Sequence, residues 1–134
     1  MPLSVYGREA VLDHVFESSA LTQPTIWVGL STADPTVDGS GLAEPATEDG
    51  YSRQRPADDA GRWSRSENVV SNKGAIQFDE ATGDWGTITH VALFDAETGG
   101  NMIAFAAVTT PAAVNEGNIA RFAAGQLTFT LNGA

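Results

Sequence analysis

Short apolar runs alternate with turn-forming segments along the second half of the chain, and this spacing limits the fold more than any other feature. Beyond Tyr51, six runs rich in β-branched and aromatic residues predict strands. They cover residues 68–71, 75–78, 87–94, 102–109, 118–123 and 126–131. Segments rich in Asp and Gly, such as 79–84 and 95–101, separate them. This pattern predicts a mainly β fold, an antiparallel β-sandwich or jelly-roll-like barrel.

Two local features strengthen the prediction of antiparallel strands. Residues 95–101 contain paired glycines between two apolar runs, which favours a β-hairpin. In the last run, Leu127, Phe129 and Leu131 alternate with polar residues through Asn132, so one face of that strand is expected to be buried.

The N-terminal segment has the spacing of a helix instead. An amphipathic helix is predicted over residues 4–18, with Ser4 as its N-cap. We expect this helix to pack on the sheet through its apolar residues, which are Val11, Leu12, Val15 and Phe16. The run 25–30 that follows is typical of a buried strand.

Length and composition narrow the class of protein. The chain of 134 residues fits a single β-rich domain, and the absence of cysteine excludes disulfides and thiolate metal sites. A net charge of −10 opposes binding to nucleic acid, which depends on Lys and Arg neutralising phosphates. No apolar run is long enough to predict a membrane span.

Residues 31–50 form a long acidic loop with no basic residue. Loops of this length are often functional, so the segment predicts a contact arm, although a surface loop without a role is the alternative. The bases Arg53 and Arg55 follow it, and an extended strand would place both on one face. They either pair with acids of the same chain or contact the acidic loop of a neighbouring subunit.

We expect residues 31–56 to carry much of the intermolecular contact. Apolar side chains would supply most of the affinity, and charges would set the register. The residues predicted to contact partners, with Trp63 added as an exposed aromatic, are Val37, Leu42, Tyr51, Arg53, Arg55 and Trp63.

Residues able to support catalysis are scarce. His14 and His90 have no identifiable nucleophile or metal-ligand partners, so the sequence predicts no enzymatic activity and no cofactor. The run 34–41 matches a calcium loop weakly, because it lacks acids at alternate positions. Carbohydrate binding is a stronger alternative, since Trp63 and Tyr51 lie in polar sequence and could stack on sugar rings.

Several strings of the sequence also occur together, in the same order, in a known family. They include PTIWVGLSTADP at 24–35, GYSRQ at 50–54, DWGTITHVALFDA at 84–96 and GGNM at 99–102. In these strings the chain resembles small virion proteins of tailed phages that are often described as tail-fibre-like or minor structural proteins.

The resemblance implies a non-enzymatic virion component, and the absence of cysteine fits assembly in the reducing cytoplasm of the host. The chain lacks the long repeats of a whole fibre, which favours a capsid decoration or cement protein or a spike-base module over a receptor-binding fibre. Its partners would be the major capsid protein or tail and spike proteins, and it would form a homo-oligomer, for instance a trimer. A tail- or fibre-associated adhesion module that binds host-surface carbohydrate is the alternative function.

Overall fold

The computed structural model describes residues 1–17, 20–57 and 62–131. It confirms a mainly β fold with antiparallel strand pairs and one N-terminal helix. The elements are α1 (Val5–Phe16), β1 (Trp27–Ser31), a 3₁₀ turn (Thr47–Asp49), β2 (Trp63–Ser66), β3 (Val69–Asn72), β4 (Ile76–Gln77), β5 (Gly86–Phe94), β6 (Met102–Val114), β7 (Arg121–Phe122) and β8 (Thr128–Thr130).

The largest sheet has the strand order β1-β5-β6. Strand β1 pairs along its whole length with the end of β5, from Trp27 opposite Phe94 to Ser31 opposite His90. Strands β5 and β6 form the hairpin that the glycines of 95–101 predict, and β6 runs five residues beyond the predicted end at residue 109. The hairpin prediction is therefore confirmed.

Two smaller sheets complete the β structure, with the orders β2-β3-β8 and β4-β7. Strand β2 was not predicted, because its sequence Trp-Ser-Arg-Ser has little apolar character and its pairing with β3 defines it. Strand β8 is shorter than predicted: Leu127 is buried just before it, Phe129 is half-buried, and Leu131 is exposed. The predicted continuation to Asn132 lies outside the described residues.

Side chains from all three sheets meet in one apolar cluster. Its aromatic centre consists of Tyr51, Phe78 and Trp85, and Tyr51 lies edge-to-face with Trp85 at 5.4 Å between ring centroids. Burial of such large rings supplies much of the stabilisation of a chain without cysteines.

The predicted helix forms, but it docks on the sheet by a different face. Ser4 caps it as predicted, since its Oγ accepts a hydrogen bond from Gly7 N at 3.0 Å. Gly7 is the buried residue of α1, and a Cβ there would lie 2.4 Å from Ile103 O on β6. The helix backbone thus approaches the sheet through a residue without a side chain, and residue 18, the predicted helix end, lies outside the described residues.

The expectation that the apolar helix residues pack on the sheet is wrong. Exposed fractions are 38% for Val11, 54% for Leu12, 62% for Val15 and 76% for Phe16. At 100° per residue Leu12 and Phe16 point away from the side of Gly7 and half-buried Ala10, whereas Val11 lies next to Gly7 and is the least exposed of the four. The four residues spread over about 140° of the helix surface with Arg8 among them, so α1 is less amphipathic than predicted, and the close approach of the backbone at Gly7 turns most of them away from the sheet.

Candidate interaction surfaces

The acidic loop 31–50 is folded against the rest of the chain. Thr32 N donates to Ala43 O at 3.0 Å, which closes the loop on itself. Val5 N, at the start of α1, donates to Val37 O at 2.8 Å. These backbone hydrogen bonds make the loop part of the folded structure instead of a free arm.

A buried polar network lies between this loop and the largest sheet. Glu44 of the loop accepts hydrogen bonds from Tyr51 Oη at 2.6 Å and from Arg53 Nε and Nη2, each at 2.9 Å. Tyr51 Oη also accepts from Leu30 N of β1 at 3.0 Å. A Cβ at Gly29 would lie 2.9 Å from both Glu44 Oε1 and Tyr51 Oη, so glycine in β1 leaves room for the network.

Arg53 extends the network to the β5–β6 hairpin. Its Nη1 donates to Ala96 O at 2.9 Å and to Gly99 O at 2.8 Å. Its guanidinium stacks on Phe94, with Cζ 3.4 Å from the ring centroid. One buried cation therefore holds together the acidic loop, the hairpin turn and a sheet residue.

Burial also changes the acid–base behaviour of Tyr51. Removal from water, and then the negative charge of Glu44, raise the pKa of its phenol well above the usual value near 10. The phenol is therefore neutral at physiological pH, and in this form it donates a hydrogen bond to Glu44.

The structure places the six predicted contact residues in different environments. Tyr51 and Arg53 are only 5% and 6% exposed, so their side chains are packed inside the protein. Of the two alternatives for Arg53, pairing with an acid of the same chain is the one observed.

The other four predicted contact residues lie nearer to the surface. Val37 is exposed beside the first turn of α1, whereas Leu42 is half-buried against the apolar cluster of Ala92, Phe94 and Met102. Arg55 lies over Trp27, with Cζ 5.7 Å from the ring centroid. Trp63, on β2, is half-buried against the main core.

The outward face of α1 is the surface that the sequence reasoning missed. It consists of Val11, Leu12, Val15 and Phe16, and we call it the α1 face. Together they expose on the order of 400 Å² of apolar surface, which is within the range of the largest apolar patch on a typical monomer, and such a patch is often functional. A signal was available in the sequence, because Gly7 and Ala10 form a small-residue side, suited to close packing, opposite Leu12 and Phe16.

Charged residues border the α1 face unevenly. Arg8 projects within the apolar stripe, while the acids Glu9, Asp13 and Glu17 lie along one flank and near the end of the helix. All four are exposed. The face is thus apolar, with a cation near the N-terminal end and carboxylates toward the C-terminal end.

Residues 2–130 match the family model of the Podophage GP4 fiber I protein gp80. The chain belongs to this family. The match covers nearly the whole sequence and confirms the resemblance to tailed-phage virion proteins. No curated protein matches the chain. Membership of this fibre family supports a structural role in the virion.

Histidines and carboxylates of the described residues do not gather into one site. Within residues 1–17, 20–57 and 62–131, no three His, Asp or Glu side chains group as a metal site. His90 contacts Thr89 Oγ1 at 2.8 Å through Nδ1, and its Nε2 lies 4.0 Å from Asp34. No helix in this part of the chain is long and apolar enough to cross a bilayer.

Proposed function

We propose that this protein is a non-enzymatic module of the virion's fibre or spike apparatus, which joins virion subunits through the α1 face. The observation that carries the proposal is the exposure of Val11, Leu12, Val15 and Phe16 on a helix whose opposite side is docked on β6. Apolar side chains held this far out of the core gain stability only when another protein surface covers them.

The sequence favours either capsid decoration or a spike-base module, and the family description supports the fibre or spike location of these two. A protein of the fibre apparatus is present in few copies per particle, whereas a decoration protein is present in hundreds. The carbohydrate-binding alternative has less support, because Tyr51 is buried and Trp63 is half-buried against the core.

Particle composition tests both parts of the proposal. Phage would be grown with the wild-type chain or with a Leu12→Asp, Phe16→Asp double variant, and purified particles would be quantified by mass spectrometry. The matched control is Ile119→Asp, because Ile119 is an aliphatic residue of similar exposure, at 51%, away from α1.

We expect a low copy number for the wild type and the control, and loss of the α1 variant from particles although it remains folded and soluble. Normal incorporation of the α1 variant would refute the role of this face. Hundreds of wild-type copies per particle would refute the fibre or spike location.

A further inference from the structure

Strand β8 has one side with which no strand of the described residues pairs. Leu131 N donates to Asn68 O at 2.9 Å, which marks the positions that bond this segment to β3. Bonded positions alternate along an antiparallel pair, so the backbone N–H and C=O groups of Thr128 and Thr130 point away from β3. In the part of the chain that the structure describes, no group bonds to them. Strand β8 is therefore an open edge of the sheet β2-β3-β8.

The outer edges of β1, β2 and β6 are protected in ways that β8 is not. The edge of β1 is covered, since Val28 N donates to Gln54 O at 2.8 Å. The edge of β6 is covered at its start by residues 2–4, and Pro111 interrupts it further on. Strand β2 carries Arg65. Covers, prolines and charges are the devices that keep an edge from pairing with another chain, and the sequence Thr-Phe-Thr of β8 contains none of them.

The part of the chain that forms β8 is also nearly free of charge. From residue 98 to residue 134 there is one acid, Glu116, and one base, Arg121, so residues 1–97 carry the whole net charge of −10. A basic partner is drawn to the acidic parts of the surface, whereas two copies of the chain repel each other there. The neutral edge suits an equally neutral surface, and the same edge of a second copy is one.

Identical edges are complementary to each other when they run antiparallel about a twofold axis. With the axis at Phe129, Thr128 faces Thr130 of the second copy, and the outward N–H and C=O groups give about four hydrogen bonds. The two Phe129 side chains then lie opposite each other at a position without backbone bonds, where cross-strand side chains are closest. Phe129 is half-buried in the monomer, so this pair covers its remaining surface.

We infer that β8 pairs with β8 of a second copy in this way, which joins the β2-β3-β8 sheets of the two copies into one. The inference uses a different surface from the α1 face. Leu127 and Thr128 line an open groove of about 680 Å³, which leaves space beside the edge. Because β8 is short, the contact falls below about 1,200 Å², and the dissociation constant should be micromolar or weaker.

Sedimentation velocity of the purified chain, from about 1 to about 500 µM, tests the pairing. We expect a monomer–dimer equilibrium that Thr130→Pro shifts more than tenfold toward monomer. Proline removes an outward N–H and sets its ring against the second strand, while the bonds from β8 to β3 stay intact. A monomer of the wild type across the whole range, or a trimer, would overturn the inference.

Arg65→Pro is the matched control. Arg65 lies opposite Val70, which bonds to β8, so the N–H of Arg65 also points outward, on the other edge of the same sheet. This variant should dimerise like the wild type, and circular dichroism establishes that both proline variants are folded. A folded Thr130→Pro that dimerises as well as Arg65→Pro would contradict the pairing.

Cross-linking tests the register. Because the chain has no cysteine, Thr128→Cys and Thr130→Cys each introduce a single thiol. The inferred pair places residue 128 of one copy and residue 130 of the other about 5.5 Å apart between Cα atoms, within the range of a disulfide. Under mild oxidation, a mixture of the two variants should form disulfide-linked dimers faster than either variant alone. Equal rates would refute this register.

The α1 variant separates this inference from the proposed function. Leu12→Asp, Phe16→Asp should dimerise like the wild type, because α1 takes no part in the β8 contact. Loss of its dimer would place the contact on α1 and overturn the inference, whereas the proposed function is decided by particle composition.

Discussion

Glu44 is the residue whose removal should test the buried network most directly. In Glu44→Ala, Arg53 stays buried with its carbonyl partners but loses its counter-ion. Tyr51 loses the carboxylate that accepts the hydrogen bond of its hydroxyl group. Removing one partner of a buried ion pair costs about 3–5 kcal/mol. Because the Glu44 side chain is 22% exposed, water can partly replace it, and we expect about 3 kcal/mol.

Urea unfolding followed by tryptophan fluorescence measures this loss. Trp85 packs edge-on against Tyr51, so its emission should report on the core next to the network. With a denaturant slope of about 1–3 kcal/mol per molar urea, the midpoint should fall by about 1–3 M.

Two further variants make the test specific. Glu48→Ala removes an exposed acid from the same loop and should change stability by less than about 0.5 kcal/mol. Tyr51→Phe should cost about 1–2 kcal/mol, because Leu30 N loses its acceptor, and it should be non-additive with Glu44→Ala. If Glu44→Ala unfolds at the wild-type midpoint, the network does not stabilise the fold and the reasoning is wrong.

Three other predictions follow from the same contacts. Leu12→Asp should lower the free energy of unfolding of the monomer by less than about 1 kcal/mol in thermal melts at low concentration, because Leu12 is exposed; a loss of several kcal/mol would mean a buried site. Gly7→Ala should loosen α1, seen as faster amide exchange of its first turns, since the new Cβ meets Ile103 O, whereas Glu9→Ala should not. Because the pKa of Tyr51 is raised in the folded state, its neutral phenol contributes fully to stability below about pH 10, and this contribution is progressively lost above that pH. The free energy of unfolding should therefore fall less steeply with rising pH in Tyr51→Phe than in the wild type. Identical pH profiles of the two proteins would contradict this.

The sequence determined those features that depend on local chemistry. Alternating apolar runs and turn residues predicted most strands within a few residues, and the glycines at 99 and 100 marked the hairpin between β5 and β6. Ser4 marks the start of the helix, because its side chain accepts a hydrogen bond from the backbone amide of Gly7, which has no partner within the helix. Ordered strings of residues pointed to the phage virion family that the family model confirms.

Only the tertiary structure decided which side of α1 packs on the sheet and which charged residues are buried. Helical periodicity shows that Leu12 and Phe16 share a face, but it does not show whether the sheet or another molecule covers that face. The contact of Gly7 with β6 settled the orientation, since only there can the helix backbone reach the strand. Arg53 became an internal residue in the same way, because Glu44 and the hairpin carbonyls, distant in sequence, converge on it.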